Sequence, residues 1–151
     1  MTAECNTISL KAIIRRGRNR ELEFDNSVRL TVPSVVVNSF ELTEGMVVAT
    51  SEFERFVDLL SERAAFYNGE EILARRAHSI GEFKRKMKRK DIEQTYIERV
   101  VTDFKTRGLL DDSRYARLRI ESLMGRKPAG QAYLVADLQR HLVPREIAET
   151  A

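Results

Sequence analysis

The sequence predicts a mainly α protein in which a small antiparallel β segment precedes a region of repeated helices. Apolar residues alternate with other residues between positions 8 and 32, and they recur at a spacing near 3.6 after position 51. Charged residues make up 32% of the 151-residue chain, tryptophan is absent, and only seven glycines and three prolines occur. This composition favours helices with solvated faces. We expect the β segment to cover residues 1–50 and the helical region to cover residues 51–151.

Three antiparallel strands are expected in the β segment. Alternating apolar residues predict the first strand over residues 8–14, and residues 15–20 should form a turn. The alternation resumes over residues 22–24 and, after a turn at Asp25-Asn26, over residues 28–32. Residues 33–40 are ambiguous, because a proline suits the first turn of a helix whereas three consecutive valines prefer a strand. A short helix is favoured there.

Two Ser-x-x-Glu sequences indicate where helices begin. Ser51 stands three residues before Glu54, and Ser79 stands three residues before Glu82, so each pair can form a capping box. The first pair predicts a helix that starts near Glu52. Asn68-Gly69 should break or bend this helix.

A further set of caps is expected after residue 104. Gly108 suits the left-handed position that follows a helix, and Leu109 can pack back on the last turn. Asp111 or Asp112 should cap the next helix. The residues assigned as structural caps are therefore Ser51, Ser79, Glu82, Gly108, Asp111 and Asp112.

The second half of the chain contains an internal repeat. When the chain is shifted by 126 − 75 = 51 positions, the apolar residues stay in register, and the basic pair Arg75-Arg76 falls on Arg126-Lys127. The matched apolar pairs are Phe83 with Leu134, Met87 with Leu138, Ile92 with Val143 and, after a one-residue slip, Ile97 with Ile147. Repetition at this period is typical of a helical array in which each unit covers its neighbour.

Three runs in this region carry a recognisable pattern: Arg76–Met87, Ile97–Val101 and Gly108–Ala116. They resemble the first repeat and the start of the second repeat of the RecX family, and Lys127–Gly130 to Leu138 with Ile147 resembles the remainder of the second. The β segment, with Gly45-Met46 leading into a helix, is similar to the extension of longer members.

The resemblance implies tandem three-helix repeats that form a curved molecule in the groove of a RecA–DNA filament. There the family hinders filament growth, ATP hydrolysis and strand exchange, and so regulates recombination, DNA repair and the SOS response. Repeat 1 should cover about residues 66–110 and repeat 2 about residues 111–151, with the third repeat absent. Lys90 and His141 depart from the family pattern, because members often carry a glycine there.

Positive charge is concentrated in the repeat region. Lys and Arg minus Asp and Glu give 7 − 9 = −2 for residues 1–60 and 19 − 14 = +5 for residues 61–151. A basic segment suits a polyanionic partner or an acidic protein surface, although most charge runs only solvate a helix. The candidate contact residues for RecA or DNA are Arg75, Arg76, Lys84, Arg85, Lys86, Lys88, Arg89, Arg126 and Lys127. The expected partners are the RecA filament and, weakly and without selectivity, single- or double-stranded DNA.

The sequence predicts no enzyme. His78 and Ser79 are adjacent, but no acidic residue is spaced to orient the imidazole, so Ser79 is better explained as a cap. Cys5, His78 and His141 lack the spacing of a zinc site, and no phosphate-binding loop or dinucleotide fingerprint occurs. We therefore expect no metal, no cofactor and no bound nucleotide.

A single cysteine, the lack of an apolar run of about 20 residues and the lack of a signal peptide predict a cytoplasmic protein without membrane contact. We also expect a monomer. Two other functions stay open. Three-helix units with a basic helix are also typical of helix-turn-helix DNA-binding modules. The distinct β segment could instead dock another protein chain.

Overall fold

A computed structural model describes residues 6–151, so Cys5 lies outside the described residues. The chain divides into two compact units, residues 1–68 and 69–151. The protein is mainly helical, with a small antiparallel sheet in the first unit, as the sequence predicts.

The first unit contains a four-stranded antiparallel sheet. Its strands are β1 (Thr7–Arg16), β2 (Asn19–Phe24), β3 (Arg29–Pro33) and β4 (Val47–Ala49), in the order β3-β2-β1-β4. The helix α1 (Ser34–Ser39) follows β3, so the ambiguous segment is helical, as expected. β1 and β2 extend further than the alternation suggests, and only Gly17 and Arg18 remain as the turn between them.

The sheet has four strands rather than the expected three, because β4 adds a fourth. Val47 to Ala49 pair with Ser9 to Thr7 at the start of β1. Three residues are too short to show an alternation, and the pairing joins segments that are far apart in the sequence. Local patterns therefore could not predict this strand.

The helix α2 (Thr50–Arg75) begins in the first unit and closes its core. Leu22 and Leu60 are fully buried there, and the Phe24 and Phe53 rings meet edge to face with centroids 4.9 Å apart. Apolar burial of this kind supplies the main stabilisation of a small unit.

Two expectations about α2 are wrong. The helix begins at Thr50, directly after β4, and Ser51 therefore lies inside its first turn rather than before it. The backbone N–H of Thr50 donates to the carbonyl of Asn6 (2.9 Å), which ties the start of α2 to the sheet. The helix also continues through Asn68-Gly69 without a break.

Tertiary packing explains why α2 is continuous at Gly69. A Cβ at this position would lie 3.0 Å from Phe83 and 3.1 Å from both Val100 and Phe104. The glycine lets two neighbouring helices pack closely against the α2 backbone, and this benefit outweighs its low helix propensity.

The second unit contains the end of α2 and five further helices among the described residues. They are α3 (Ile80–Arg89), α4 (Gln94–Thr106), α5 (Asp112–Arg126), α6 (Gln131–Arg140) and α7 (Arg145–Thr150). α6 begins 131 − 80 = 51 and ends 140 − 89 = 51 residues after α3, and α7 begins 145 − 94 = 51 residues after α4. The ends of α2 and α5 are also 126 − 75 = 51 residues apart.

The helix ends repeat at the same spacing. Lys90 and His141 are the C-caps of α3 and α6, and the next residues, Asp91 and Leu142, have φ values of 58° and 62°. The chain therefore turns here without the glycine that the resemblance leads one to expect. The slip that pairs Ile97 with Ile147 is wrong, because the unbroken spacing pairs Ile97 with the buried Ala148.

Gly108 follows the C-cap of α4 with φ of 74°, and the N–H of Leu109 donates to the carbonyl of Phe104 (2.8 Å). The expectation that Leu109 packs back on the last turn is wrong, since Leu109 is 47% exposed whereas Leu110 is only 2% exposed. The turn directs the second leucine toward the core, one residue later than the simple motif suggests.

Candidate functional site

The helix α3 carries most of the candidate contact residues, and its N-terminus is anchored in the second unit. Ser79 is the N-cap, and its hydroxyl accepts a hydrogen bond from the N–H of Glu82 (3.1 Å) and donates one to the carbonyl of His141. The N–H of Ile80 donates to the Asp112 carboxylate (2.8 Å). Two orphan donors of the first turn are thus satisfied by side chains, one of which belongs to α5.

Two aspartates at the start of α5 accept hydrogen bonds from different helices. Asp111 is the N-cap and accepts a hydrogen bond from the N–H of Arg114 (3.1 Å). Asp112 is the first helical residue and instead holds α3 through Ile80. Its burial raises the pKa of the Asp112 carboxyl, and the hydrogen bond from Ile80 partly opposes this effect.

The apolar face of α3 packs against α4. Phe83 and Met87 are fully buried, and the rings of Phe83 and Phe104 lie 5.7 Å apart. This packing fixes the rotation of α3 and so determines which of its cations face solvent.

Three of the candidate cations are engaged inside the second unit. Arg76 forms an ion pair with the buried Glu82 (3.1 Å), and Lys84 forms one with Glu98 (3.3 Å). The ammonium of Lys86 donates to Nε2 of His78 (2.8 Å). These three residues already have partners within the second unit and therefore have less freedom to contact another molecule.

His78 is buried and receives the Lys86 bond as a neutral ring. Because Nε2 accepts this bond, the proton lies on Nδ1, which donates to the carbonyl of Arg76 (2.8 Å). Burial lowers the pKa of the His78 imidazole, and the nearby charges of Arg76 and Lys86 act in the same direction. Burial also lowers the pKa of the Lys86 ammonium.

The adjacent His78 and Ser79 point to different partners and do not form a nucleophile and base. The Ser79 hydroxyl is committed to Glu82 and His141, and both nitrogens of His78 are committed to Arg76 and Lys86. Their role here is to anchor α3. Within residues 6–151, no group of three or more His, Cys, Asp or Glu side chains could hold a metal ion.

A second set of cations faces solvent. Arg85, Lys88 and Arg89 are exposed on α3, and their spacing of i, i+3 and i+4 places them on one side of the helix. Among the described residues, no carboxylate pairs with any of the three. We call Arg85, Lys88 and Arg89 the α3 basic face.

The remaining candidates lie at helix ends. Arg75 ends α2 and is exposed, and Arg126 and Lys127 are exposed at the end of α5. At the 51-residue spacing, Arg126 and Lys127 correspond to Arg75 and Arg76.

The second repeat has no counterpart of the α3 basic face. Positions 136, 139 and 140, which correspond to the face, are alanine, glutamine and arginine. Arg140 is the one cation, and it lies 3.6 Å from the Asp137 carboxylate.

The second repeat contains a partly buried ion pair that the sequence did not predict. Arg119 on α5 donates two hydrogen bonds to the Asp137 carboxylate on α6, at 2.9 and 3.2 Å. The bond from Arg119 lowers the pKa of Asp137 and raises that of Arg119. The residues are 18 positions apart, so no local spacing could have indicated the pair.

No helix in the part of the chain that the structure describes combines the length and apolarity that a bilayer crossing requires.

No protein-family model matches the chain. Its sequence is 40% identical over 76 residues to the regulatory protein RecX of Prosthecochloris aestuarii, covering 50% of this chain and 50% of that protein. It is 23% identical over 125 residues to RecX of Geobacillus thermodenitrificans, covering 83% of this chain and 46% of that protein. The chain thus spans about half the length of the curated relatives it matches.

Two solved structures share the fold. A crystal structure of regulatory protein RecX matches 95% of this chain and 71% of its own, with a TM-score of 0.63 and 14% identity. The RecX structure from Lactobacillus salivarius matches 60% of this chain and 59% of its own, with a TM-score of 0.58 and 20% identity. The fold defines a protein in which helices repeat after a small antiparallel sheet. The chain is thus similar in sequence to proteins named RecX, and it shares its fold with two RecX structures.

Proposed function

We propose that the chain binds the RecA recombinase filament and inhibits its growth, ATP hydrolysis and strand exchange, thereby modulating recombination and DNA repair. The observation that carries the proposal is the similarity to proteins named RecX in both sequence and fold. A regulatory role is what that name supports, and RecA is the partner that the resemblance implies.

The α3 basic face is the contact surface in this proposal. Arg85, Lys88 and Arg89 are exposed and, within the described residues, unpaired, so no intramolecular ion pair has to be broken before they bind. They suit the phosphates of filament-bound DNA or an acidic patch on the filament. Arg75, Arg126 and Lys127 extend the candidate surface, whereas Arg76, Lys84 and Lys86 contribute mainly by holding α3 in place.

Several further properties belong to the same proposal. The protein acts as a cytoplasmic monomer, without an enzymatic activity, cofactor or metal of its own, and it binds free DNA weakly and unselectively. Its repeats cover about residues 66–110 and 111–151, an assignment that the 51-residue spacing of the helices supports.

Cosedimentation with RecA filaments on single-stranded DNA tests the contact surface. The double variant Arg85→Glu/Arg89→Glu should lose binding by about tenfold or more, because four units of charge change on an exposed face. Its helix content and melting temperature should stay unchanged, since both side chains face solvent. The matched control is Arg114→Glu/Arg117→Glu, which makes the same charge change at two exposed positions of α5.

Retained binding by Arg85→Glu/Arg89→Glu would show that another face makes the contact. A gel-shift series with duplex DNA alone separates this function from a helix-turn-helix module. Weak, salt-sensitive and unselective binding agrees with the proposal, whereas tight and sequence-selective binding would favour the module.

A further inference from the structure

The hairpin formed by β1 and β2 carries a second, separate concentration of positive charge. Residues 11–20 contain one lysine and four arginines and no acidic residue. The strands are joined by Gly17 and Arg18 alone, so the arginines at positions 15, 16, 18 and 20 all lie at the tip. Residues 1–60 as a whole carry a charge of −2, so the tip differs in sign from the segment around it.

The strand register places two of these arginines directly opposite each other. Arg15 pairs with Arg20 across the β1–β2 ladder. Side chains at such positions share a face of the sheet with Cβ atoms about 5 Å apart, and like charges there are destabilising. The same sheet elsewhere pairs opposite charges, since Glu23 faces Arg29 across β2 and β3 with an ion pair of 3.2 Å.

Two of the four arginines are engaged within the hairpin. The guanidinium of Arg20 donates to the carbonyls of Gly17 (3.3 Å) and Asn19 (2.9 Å), which holds it against the turn. Arg16 lies 3.5 Å from Glu21, but its side chain is 58% exposed, and such a pair contributes little.

The other two arginines are available for binding. Arg15 and Arg18 are exposed, and no side-chain hydrogen bond or ion pair engages either guanidinium among residues 6–151. Gly17, with φ of 62°, allows the two-residue turn that places Arg18 at the extreme end of the hairpin. The repulsion between Arg15 and Arg20 is therefore not offset by a carboxylate on Arg15.

We infer that the tip of the β1–β2 hairpin binds the phosphate backbone of nucleic acid through Arg15 and Arg18, with Arg16 and Arg20 beside them. The phosphate backbone of nucleic acid carries regularly spaced anions, and these suit four clustered guanidinium groups. A two-stranded ribbon is also narrow enough to enter a groove of duplex DNA.

The surroundings of the tip favour nucleic acid over a protein partner. Protein interfaces are built around buried apolar and aromatic anchors. The exposed large hydrophobic residues found in the first unit, Val35, Val47 and Leu59, belong to other elements than this hairpin. The inference does not rest on the function proposed above, and its test uses no RecA.

Fluorescence anisotropy with a labelled dT30 strand and a 30-base-pair duplex tests the inference on the full chain. The double variant Arg15→Ser/Arg18→Ser should weaken binding about tenfold at low salt and reduce the slope of log K against log salt by about 1.5 to 2. The control Arg55→Ser/Arg63→Ser removes the same charge from exposed positions of α2 in the same unit and should leave the slope unchanged. The two probes distinguish single-stranded from duplex DNA as the source of the phosphates.

A second variant separates binding from folding. Arg15→Glu places an opposite charge across from Arg20, so the melting temperature should stay constant or rise by about 1–3 °C while DNA binding falls. Equal DNA binding by the unaltered protein and Arg15→Ser/Arg18→Ser overturns the inference. Binding of polyglutamate without binding of either DNA probe also overturns it, in favour of an acidic protein partner.

Discussion

His78 and Lys86 form the contact on which the local electrostatics of the first repeat depend. His78 is 3% exposed, and its ring lies near the charges of Arg76 and Lys86, with Glu82 as the nearby carboxylate. A protonated ring could not accept the Lys86 bond and would add a third positive charge. The fold therefore stabilises the neutral imidazole, which is why the pKa of His78 is lowered.

This arrangement predicts a loss of stability at mildly acidic pH. The unfolded chain binds a proton on His78 near the ordinary value of 6.5, whereas the folded chain binds it only at lower pH. The contribution is complete above about pH 6.5 and is lost as the pH falls toward the folded pKa. His78→Gln keeps an acceptor for Lys86 but cannot titrate, so its melting temperature should fall less between pH 7 and 5 than that of the unaltered protein.

The other described histidine provides the control. His141→Gln replaces the other described imidazole but keeps the backbone carbonyl that holds Ser79, so a smaller pH dependence in His78→Gln than in His141→Gln assigns the effect to His78. An identical pH dependence in His78→Gln and the unaltered protein would argue against the assigned role of the His78–Lys86 contact.

Gly81 shows how one residue governs the packing of an element. A Cβ at this position would lie 2.6 Å from Cβ of Leu142 and 2.9 Å from its carbonyl oxygen, in the turn that follows α6. Both values are shorter than a tolerable contact, and Leu142 already has a positive φ. The backbone of α3 can approach that turn only because position 81 lacks a side chain.

Gly81→Ala should therefore destabilise the protein by about 1–3 kcal/mol in chemical denaturation, despite the better helix propensity of alanine. Gly125→Ala in α5 is the matched control, because nothing lies within 4 Å of its added Cβ. This control should be neutral or stabilising by up to about 1 kcal/mol. Equal effects of the two substitutions would contradict the described packing.

At the scale of elements, the Arg119–Asp137 pair joins α5 to α6. Asp137 is 4% exposed and accepts two hydrogen bonds from one guanidinium. Removal of the negative charge of Asp137 would leave Arg119 without a counterion at a partly buried position.

Asp137→Asn should cost about 1–3 kcal/mol of unfolding free energy at pH 7, measured by urea titration. Because the pKa of Asp137 is lowered in the fold, its contribution is present above the ordinary carboxyl range and disappears as the pH falls through the folded pKa. The difference between the two proteins should thus shrink in acid. Glu149→Gln, in an exposed pair with Arg145, should change stability little at either pH.

The element scale also shows what the sequence could and could not predict. As helix caps, Ser79, Gly108 and Asp111 act within a few residues of their own positions, so their types and spacing predict these cap roles. The strand β4 and the continuous path of α2 through Gly69 depend on partners distant in the sequence. Periodicity within one segment carries no information about such contacts.

The same distinction applies to the candidate site. The sequence predicts a basic cluster but cannot divide it, because the partners of Lys84 and Lys86 are side chains on other segments. The orientation in which α3 packs against α4 leaves Arg85, Lys88 and Arg89 exposed. Of the nine candidate residues, three have partners within the second unit, three form the α3 basic face and three lie exposed at helix ends.

At the scale of the whole molecule, each unit carries one of the two groups of exposed cations to which binding is assigned among residues 6–151. The α3 basic face belongs to residues 69–151, and the hairpin tip belongs to residues 1–68. Binding assays with variants of one group at a time would show whether the α3 basic face and the hairpin tip bind the same partner.

The central claim is that this chain restrains RecA, and the DNA-dependent ATPase of RecA tests it most directly. Titration of the unaltered protein against preformed filaments on single-stranded DNA should slow hydrolysis at substoichiometric amounts. Arg85→Glu/Arg89→Glu should require about ten times more protein for the same effect. An ATPase rate that stays constant throughout a titration to equimolar protein would contradict the proposed function.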